Sequence, residues 1–139
     1  MILLDTSGLL AAMFIDQRRH EECANIVLAA RPPLILSPFV LAELDYLILK
    51  HAGVASEIDL LREVSRGAYE LAEFTADDVE KARQVVIKYK PLGLGIADAS
   101  IVVLAERYGT RDVLTLDERH FRALRVGKRK SFRILPTDL

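Results

Sequence analysis

The sequence has a single cysteine, Cys23, and only three histidines in 139 residues. One cysteine cannot form an internal disulfide, and the scattered His20, His51 and His120 do not make a Cys/His metal site. No apolar run approaches the roughly 18 residues that span a bilayer. The N-terminus lacks the basic segment of a secretory signal, and Asp5 interrupts its apolar run at once. We therefore expect a soluble, cytoplasmic protein without a membrane span, disulfide framework or zinc finger.

The composition is that of one ordinary globular domain. Hydrophobic residue types make up 51% of the 139 residues, which is enough to bury a core without disulfides or a structural metal. No internal repeat, low-complexity tract or linker interrupts the sequence. We expect a single domain over residues 1–139.

The charges are balanced overall but unevenly distributed. The formal net charge is −1, from 19 basic and 20 acidic residues. Seven basic residues and no acid fall between positions 119 and 133: Arg119, Arg122, Arg125, Lys128, Arg129, Lys130 and Arg133. The rest of the chain then has 12 basic and 20 acidic residues, a net charge of −8. Such a basic segment attracts phosphates, although a solvated helix and loop has the same composition.

Short apolar runs alternate with segments of helical periodicity along the whole chain. Strands are predicted at residues 2–4, 34–36, 69–74, 113–116 and 132–135. Helices are predicted from about residue 7 and over residues 20–30, 39–51, 56–66, 75–89, 96–108 and 118–125. Crossovers of this length favour an α/β fold in which helices cover both faces of a mainly parallel sheet of about five strands.

Acidic residues follow the predicted strands at the edge where such sheets bind ligands. Asp5 and Asp117 come directly after two strands, and Glu43 lies about two turns into the helix that leaves another. Asp98 is in the first turn of the helix over residues 96–108. Asp5 and Asp117 have the alternative role of capping helices, and the positive end of its helix favours Asp98.

Glu43 and Asp98 are less easily explained as surface residues. The residues three and four positions from Glu43 are all apolar: Phe39, Val40, Tyr46 and Leu47. Asp98 is similarly surrounded by Leu94, Gly95, Ile101 and Val102. A carboxylate on an apolar helix face is unfavourable unless it has a partner. We therefore expect both acids to belong to a site.

Four converging carboxylates would repel one another, and a divalent cation would relieve that repulsion. Oxygen ligands without His or Cys select hard ions, so Mg²⁺ or Mn²⁺ is expected and Zn²⁺ is not. A partly hydrated ion of this kind activates water and neutralises phosphate charge, which makes phosphodiester hydrolysis the natural chemistry. The basic segment would then attract the nucleic-acid strand at the rim of the acidic pocket.

Four short motifs occur in a characteristic order along the chain. They are Asp5-Thr6-Ser7 after an apolar strand, Ser37-Pro38 with Ala42-Glu43-Leu44, Ile96-Ala97-Asp98-Ala99, and Thr115-Leu116-Asp117 with His120-Phe121. Together they resemble the PIN domains and, within them, the VapC-type ribonuclease toxins of prokaryotic toxin–antitoxin pairs. The resemblance extends from end to end and implies a PIN-like three-layer sandwich.

The resemblance also implies a function. The protein would be a Mg²⁺- or Mn²⁺-dependent endoribonuclease toxin that cuts structured RNA such as tRNA or rRNA and inhibits translation. A cognate VapB-like antitoxin would neutralise it, and it would form a homodimer. In this sequence the catalytic and metal-binding acids fall on Asp5, Glu43, Asp98 and Asp117, supported by Thr6 and Thr115. The RNA contacts would come from Arg119, Arg122, Arg125, Lys128, Arg129 and Lys130.

One position departs from the family pattern. Many members have a small polar or acidic residue immediately before the last aspartate, where this chain has Leu116. A fifth acidic contact is therefore absent, and the sequence leaves open one metal or two. His120 is expected to pack near Phe121 rather than meet a phosphate, and Asp45 to be structural or solvent-facing.

Other functions remain open on the sequence alone. A catalytically inactive PIN-fold protein-binding module is one alternative, although all four acids are present. A DNA-directed metal nuclease is another, although the chain is short for added DNA-binding elements. A phosphatase or phosphotransfer domain fits less well, because Asp5-Thr6-Ser7 lacks a second aspartate.

Overall fold

In the computed structural model, which describes residues 1–139, short strands alternate with helices along the chain. The strands are β1 (Ile2–Leu4), β2 (Leu34–Leu36), β3 (Glu70–Leu71), β4 (Asp112–Leu114), β5 (Arg125–Val126), β6 (Lys130–Ser131) and β7 (Arg133–Leu135). The helices are α1 (Thr6–Met13), α2 (His20–Ala29), α3 (Pro38–Ala52), α4 (Val54–Ser65), α5 (Ala76–Lys88), α6 (Ile96–Tyr108) and α7 (Glu118–Ala123). A 3₁₀ turn over Lys90–Leu92 leads into the loop before α6.

The central sheet has five strands in the order β3-β2-β1-β4-β7, and every neighbouring pair is parallel. All three residues of β1, the middle strand, are buried, as expected for a strand covered on both faces. Seven helices flank this sheet. The predicted α/β fold, with helices flanking a mainly parallel sheet of about five strands, is confirmed. No helix has the length and apolar character that crossing a membrane requires.

A glycine lets α1 pack directly against β4. A Cβ atom added to Gly8 would overlap the backbone carbonyl of Leu114, which has little freedom to move. Only glycine therefore allows this close approach. The packing holds the first turn of α1 beside Thr115, which follows β4.

The start of α3 is joined to α6 by a buried contact between two serines. Ser37 caps α3 by accepting a hydrogen bond from the Phe39 N–H, and Pro38 occupies the first helical position, as the sequence predicts. The Ser37 and Ser100 hydroxyl oxygens lie 2.7 Å apart in the core. This contact fixes the helix that carries Glu43 relative to the helix that carries Asp98.

The capping box predicted at the start of α5 is present, with Asp in place of Glu or Gln. The Asp78 N–H donates to the Thr75 hydroxyl, and the Thr75 N–H donates to the Asp78 carboxylate. These bonds and the Arg107 guanidinium, 2.7 Å away on α6, lower the pKa of Asp78. The ion pair joins the start of α5 to the end of α6.

The C-terminal region differs most from the sequence prediction. The helix expected over residues 118–125 ends at Ala123, and β5 and β6 form an unpredicted antiparallel hairpin. The physical reason is burial: Leu124, Val126 and Phe132 all enter the core, which a continuous helix would not allow. Gly127 at φ +54° and Arg129 at φ +74° make the tight turn.

The strand predicted over residues 69–74 is also shorter than expected. Only Glu70 and Leu71 pair with β2, at the edge of the sheet. The chain then leaves the sheet, and the Phe74 ring packs edge-to-face on Phe39 of α3 with centroids 5.1 Å apart. Aromatic packing against the helix thus takes the place of further strand pairing.

Candidate active site

The four acids singled out in the sequence line one cleft. Asp5, Glu43, Asp98 and Asp117 surround a space of about 490 Å³ at the carboxyl ends of β1 and β4. The other lining residues are Thr6, Ser7, Leu10, Gln17, Tyr46, Leu47 and Leu116. The parallel topology therefore brings together carboxylates that are far apart in the sequence.

Asp5 is buried, with an exposed fraction of 5%, and it does not use its side chain to cap α1. Its carboxylate accepts hydrogen bonds from the Thr115 hydroxyl at 2.7 Å and the Ser7 hydroxyl at 3.2 Å. Burial, opposed by the hydrogen bond from Thr115 and assisted by the nearby Asp98 charge, raises the pKa of Asp5 to about 6. Asp5 is thus a buried acid held in place by hydroxyl groups.

Glu43 lies at the exposed side of the cleft. Its carboxylate accepts a 2.7 Å hydrogen bond from the Thr6 hydroxyl. From their apolar character we expect the helical neighbours of Glu43 to face the core, and this is wrong for one of them: Val40 is buried, but Tyr46 is 62% exposed. Because α3 carries Glu43 along the boundary of the cleft, this residue is exposed to solvent while the three aspartates of the cleft are less exposed.

Asp98 and Asp117 share a histidine partner. The His120 Nδ1 atom lies 2.8 Å from the Asp98 carboxylate and 3.3 Å from that of Asp117. Asp117 also caps α7 by accepting from the His120 N–H. Burial raises the pKa of Asp98, the bond to His120 opposes this, and Asp117 and Glu43 raise it again by charge repulsion.

Sequence reasoning missed the role of His120. It predicted packing near Phe121, whereas the His120 imidazole points to the acids. Of these two neighbouring residues, Phe121 is the one that is buried in the core. The spacing in the sequence could have indicated this contact. Asp117 precedes His120 by three residues, and residues three apart on a helix lie on the same face.

Sequence reasoning also missed Ser7. Its hydroxyl donates to Asp5, lies 3.2 Å from the Thr115 hydroxyl and accepts from the Leu116 N–H at 3.0 Å. The Thr115 hydroxyl in turn accepts from the Asp117 N–H at 2.9 Å. These bonds fix the loop that carries Asp117 against the start of α1. The position of Ser7 in the Asp5-Thr6-Ser7 motif was the available signal.

The donor set of the cleft fits a hard divalent cation. Carboxylate oxygens of Asp98 and Asp117 lie within 4.8 Å of each other, and the His120 ring, also within 4.8 Å of both, is hydrogen-bonded to Asp98. Asp5 and Glu43 add carboxylates to the same cleft. A cation there would offset the burial and like-charge repulsion that raise the pKa values of Asp5 and Asp98. Leu116 lines the cleft without offering an oxygen from its side chain.

The basic segment does not line this cleft, since none of its seven residues is among those that surround it. Arg122 is bound to Asp138 at 2.6 Å, Arg133 to Asp112 at 3.3 Å, and Arg125 to the carbonyls of Arg122 and Leu124. Lys128 and Lys130 line a separate cleft near the end of α6. Arg119, Lys128, Arg129 and Lys130 have no carboxylate partner.

Comparison with known proteins identifies the family. Residues 2–126 match the sequence profile of the PIN domain. The chain belongs to the PIN domain family. It is 44% identical over 135 residues to Ribonuclease VapC26 of Mycobacterium tuberculosis, a match that covers 97% of this chain and 100% of the relative. The resemblance to PIN domains, and among them to VapC-type toxins, is therefore confirmed.

Solved structures show the same PIN fold. Mycobacterium tuberculosis VapC20, described as a sarcin–ricin loop cleaving toxin, superposes with a TM-score of 0.78 at 19% identity over 86% of this chain and 92% of that one. A toxin–antitoxin complex from Klebsiella pneumoniae superposes with a TM-score of 0.69 at 20% identity, over 89% of this chain and 92% of that one. DNA-bound VapBC from Salmonella typhimurium superposes with a TM-score of 0.67 at 18% identity, over 96% of each chain.

Proposed function

We propose that this PIN-domain protein is a divalent-metal-dependent endoribonuclease and the toxin of a toxin–antitoxin pair. The observation that carries the proposal is the meeting of Asp5, Glu43, Asp98 and Asp117 in one cleft. The 44% identity to a protein named Ribonuclease VapC26 supports RNA as the substrate. The whole chain, residues 1–139, acts as one nuclease domain.

Asp5, Asp98 and Asp117 would hold Mg²⁺ or Mn²⁺, with Glu43 as a further ligand or as the group that orients the attacking water. When bound, such an ion lowers the pKa of water and neutralises charge on a phosphodiester. Glu43 is suited to accept a proton because it is the exposed acid of the four and is held by Thr6. Hydrolysis then proceeds by in-line attack of water without a covalent protein intermediate.

The hydroxyl groups of the site act as positioning residues. Thr6 orients Glu43, while Ser7 and Thr115 orient Asp5 and the backbone that leads to Asp117. His120 orients the Asp98 carboxylate. Together they hold the acids in place before substrate arrives, which reduces the reorganisation needed during the reaction.

The substrate class we propose is structured RNA, either tRNA or rRNA, whose cleavage inhibits translation. Among the six basic residues expected to contact RNA, Arg119 lies on α7 two residues after Asp117 and has no carboxylate partner. Arg122 and Arg125 are already bound within the protein and contribute less to phosphate binding.

The partner we propose is a VapB-like antitoxin. Two of the similar solved structures are toxin–antitoxin or VapBC complexes, which supports such a partner here. The chain offers an apolar groove of about 400 Å³ between the first two and the next two helices, lined by residues such as Met13, Phe14, Leu28 and Leu60. We also propose that the protein works as a cytoplasmic homodimer.

The proposal is tested by incubating the wild-type protein and the Asp98→Asn variant with total structured RNA in Mg²⁺, in Mn²⁺ and in EDTA. Cut sites are mapped by primer extension, and a DNA duplex of mixed sequence is incubated in parallel. Asp77→Asn is the matched control, because Asp77 is an exposed acid on α5 outside the cleft.

We expect discrete, metal-dependent RNA cuts from the wild type and from Asp77→Asn, and none from Asp98→Asn. Absence of cutting by folded, antitoxin-free protein under every condition would favour the protein-binding module. Preferential cutting of the DNA would favour the DNA nuclease.

A further inference from the structure

Four cations form a cluster outside the acidic cleft: Arg111, Lys128, Arg129 and Lys130. We call this cluster the basic hairpin. All four side chains are exposed, and none has a carboxylate within 4.0 Å. Six other arginines of the protein do have such a partner: Arg19, Arg62, Arg83, Arg107, Arg122 and Arg133. The basic hairpin therefore carries charge that the protein does not neutralise itself.

The hairpin is anchored to the body of the protein. Val126 and Phe132 are buried, and the Phe132 ring packs edge-to-face on Phe121 with centroids 5.3 Å apart. The Arg125 N–H donates to the Tyr89 hydroxyl, and the Arg111 guanidinium donates to the Ser131 carbonyl at 3.0 Å. The cations therefore extend from a fixed surface rather than from a loose tail.

The turn conformation adds to this order. Gly127 and Arg129 both have positive φ, so the three residues of the loop form a tight reversal between β5 and β6. A non-glycine residue at positive φ is uncommon, and here it is the cation at the tip. The basic hairpin thus presents its charges in a compact arrangement.

Three of the cations converge on a cleft of their own. Arg111, Lys128 and Lys130 line a space of about 420 Å³ together with Glu106, Gly109 and Thr110 at the end of α6. This volume is within the range of about 300–1,000 Å³ that ligand clefts occupy. One acid faces three cations there, so the cleft favours an anion.

Stabilising the end of α6 does not account for this much charge. A helix C-terminus carries the equivalent of about half a negative charge. The last turn of α6 already contains Arg107, and the N–H groups of Gly109 and Thr110 bond back to the Ala105 carbonyl. Four more cations greatly exceed what the helix end needs.

The basic hairpin is too far from the acids to contact the bond that is cut. Asp98 lies in the first turn of α6, and Gly109 caps its other end. At about 1.5 Å per residue, the two ends are separated by about 17 Å. An anion bound at the hairpin would therefore lie away from the acidic cleft.

We propose that the basic hairpin is a second RNA-backbone contact, which takes phosphates from a part of the substrate near the end of α6 opposite Asp98. The inference rests on the proposed ribonuclease function and deepens it, because it requires a substrate that extends well beyond the cut. Outside the segment 119–133 the chain has a net charge of −8, so a polyanion needs such a local attraction to settle on the protein.

The test compares the triple variant Lys128→Ala/Arg129→Ala/Lys130→Ala with a control that loses the same charge elsewhere, Lys50→Ala/Arg66→Ala/Lys81→Ala. The three control residues are exposed and lack carboxylate partners. Cleavage is measured on a long structured RNA and on a four-nucleotide RNA around the same cut site. A stacked strand of that length spans only about 10 Å, at about 3.4 Å per step.

We expect the hairpin variant to raise KM for the long RNA at least tenfold with little change in kcat, and to leave the short RNA unaffected. The control should behave as the wild type on both substrates. Equal effects of the two triple variants on the long RNA would overturn the proposal. So would a loss of activity of the hairpin variant on the short RNA, since that effect would come from the site or the fold.

Binding of the long RNA in EDTA separates this inference from the proposed function, because it requires no cleavage. Each phosphate contact contributes about 0.7 for a single strand, and about 0.9 for a duplex, to the slope of log K against log salt concentration. Removal of three cations should therefore lower that slope by up to about 2–3, and removal of the three control cations should not. An unchanged slope would overturn the hairpin inference even if the protein cleaves RNA. A lowered slope in a protein that cleaves nothing would support the contact while contradicting the nuclease.

Discussion

At the scale of single residues, Asp5 has the most demanding surroundings. Its carboxylate is almost completely buried, and Asp98 is another acid in the same cleft. Two hydroxyl groups hold it in position but do not overcome the cost of burying its charge, since its pKa is raised to about 6. A bound cation would supply the missing favourable interaction.

The first prediction concerns the pH dependence of the metal-free protein. Because the folded state raises the pKa of Asp5 from 3.8 to about 6, folding favours its protonated form. This stabilisation is fully present below about pH 4 and is lost as the pH rises through about 6. At 1.36 kcal/mol per pKa unit, the loss from Asp5 is about 3 kcal/mol at most.

The measurement is urea unfolding in EDTA at several pH values, for the wild type and Asp5→Asn. The neutral amide does not titrate, so the variant should lose less free energy of unfolding between pH 4 and pH 7. If the free energy of unfolding changed equally with pH in the two proteins, folding would not raise the pKa of Asp5.

The second prediction concerns Thr115. Its hydroxyl donates to Asp5 and accepts from the Asp117 N–H, so Thr115→Val removes the shorter of the two hydroxyl bonds to buried Asp5 and leaves the partly buried Asp117 N–H without its acceptor. We expect a loss of about 1–3 kcal/mol in the free energy of unfolding, as for other buried polar groups left unsatisfied. Cleavage of RNA should also fall at least tenfold, because Asp5 and Asp117 lose their common support.

Thr137→Val is the control for this substitution. The Thr137 hydroxyl bonds only to Arg19 at the surface, so removing it should change stability by less than about 0.5 kcal/mol. If Thr115→Val cleaved RNA at the wild-type rate, the hydroxyl network would have no part in arranging the acids.

At the scale of elements, the sequence predicts the buried strands and most helices well. A short apolar run such as Leu34–Leu36, followed by a helix-start signal such as Ser37-Pro38, is best explained as a buried strand that leads into a helix. The hairpin of β5 and β6 escaped prediction because two-residue strands carry no periodicity. The departure of the chain after Leu71 depends on the aromatic contact with Phe39, which no local pattern records.

The third prediction tests the packing of α1 on β4. In Gly8→Ala the added methyl group meets the Leu114 backbone, so α1 must move away from the sheet. Overpacking of this kind costs about 1–3 kcal/mol, and the shift also separates Ser7 from Thr115. We expect a lower Tm together with weaker RNA cleavage.

Gly95→Ala is the matched control, because nothing lies within 4 Å of a Cβ atom there and its φ of −82° suits any residue. Because Gly95 is the N-cap of α6, where Ala is less favourable than Gly, the Tm of this variant should fall slightly, and by much less than that of Gly8→Ala. Equal Tm values for the two variants would mean that α1 tolerates the methyl group and that the close approach is unimportant.

At the scale of the whole molecule, the parallel topology explains why the acidic cleft could be predicted. Strand ends meet at one edge of such a sheet, so Asp5 and Asp117 had to approach each other, and the helices after β2 and before β4 bring Glu43 and Asp98. The catalytic role of these four acids stays a prediction, while their proximity is a property of the structure.

The position of the basic segment could not be obtained in the same way. Proximity in the sequence to Asp117 suggested a rim for the acidic cleft, but α7 and the hairpin carry the chain away to the far end of α6. The ion pair between Arg122 and Asp138 forms because β7 joins the central sheet and brings the end of the chain beside α7. Charge counts along the sequence do not show which cations are already neutralised.

The central claim is that the acidic cleft cleaves RNA with the help of a divalent cation. Its most direct test is the initial rate of cleavage of one end-labelled RNA as a function of Mg²⁺ concentration, for the wild type, Asp98→Asn and Asp77→Asn. We predict a saturable, EDTA-sensitive rate that Asp77→Asn retains and that Asp98→Asn lowers at least about a hundredfold, since the oriented charges of such sites contribute at least that much. A rate independent of metal, or equal in the wild type and Asp98→Asn, would contradict the account.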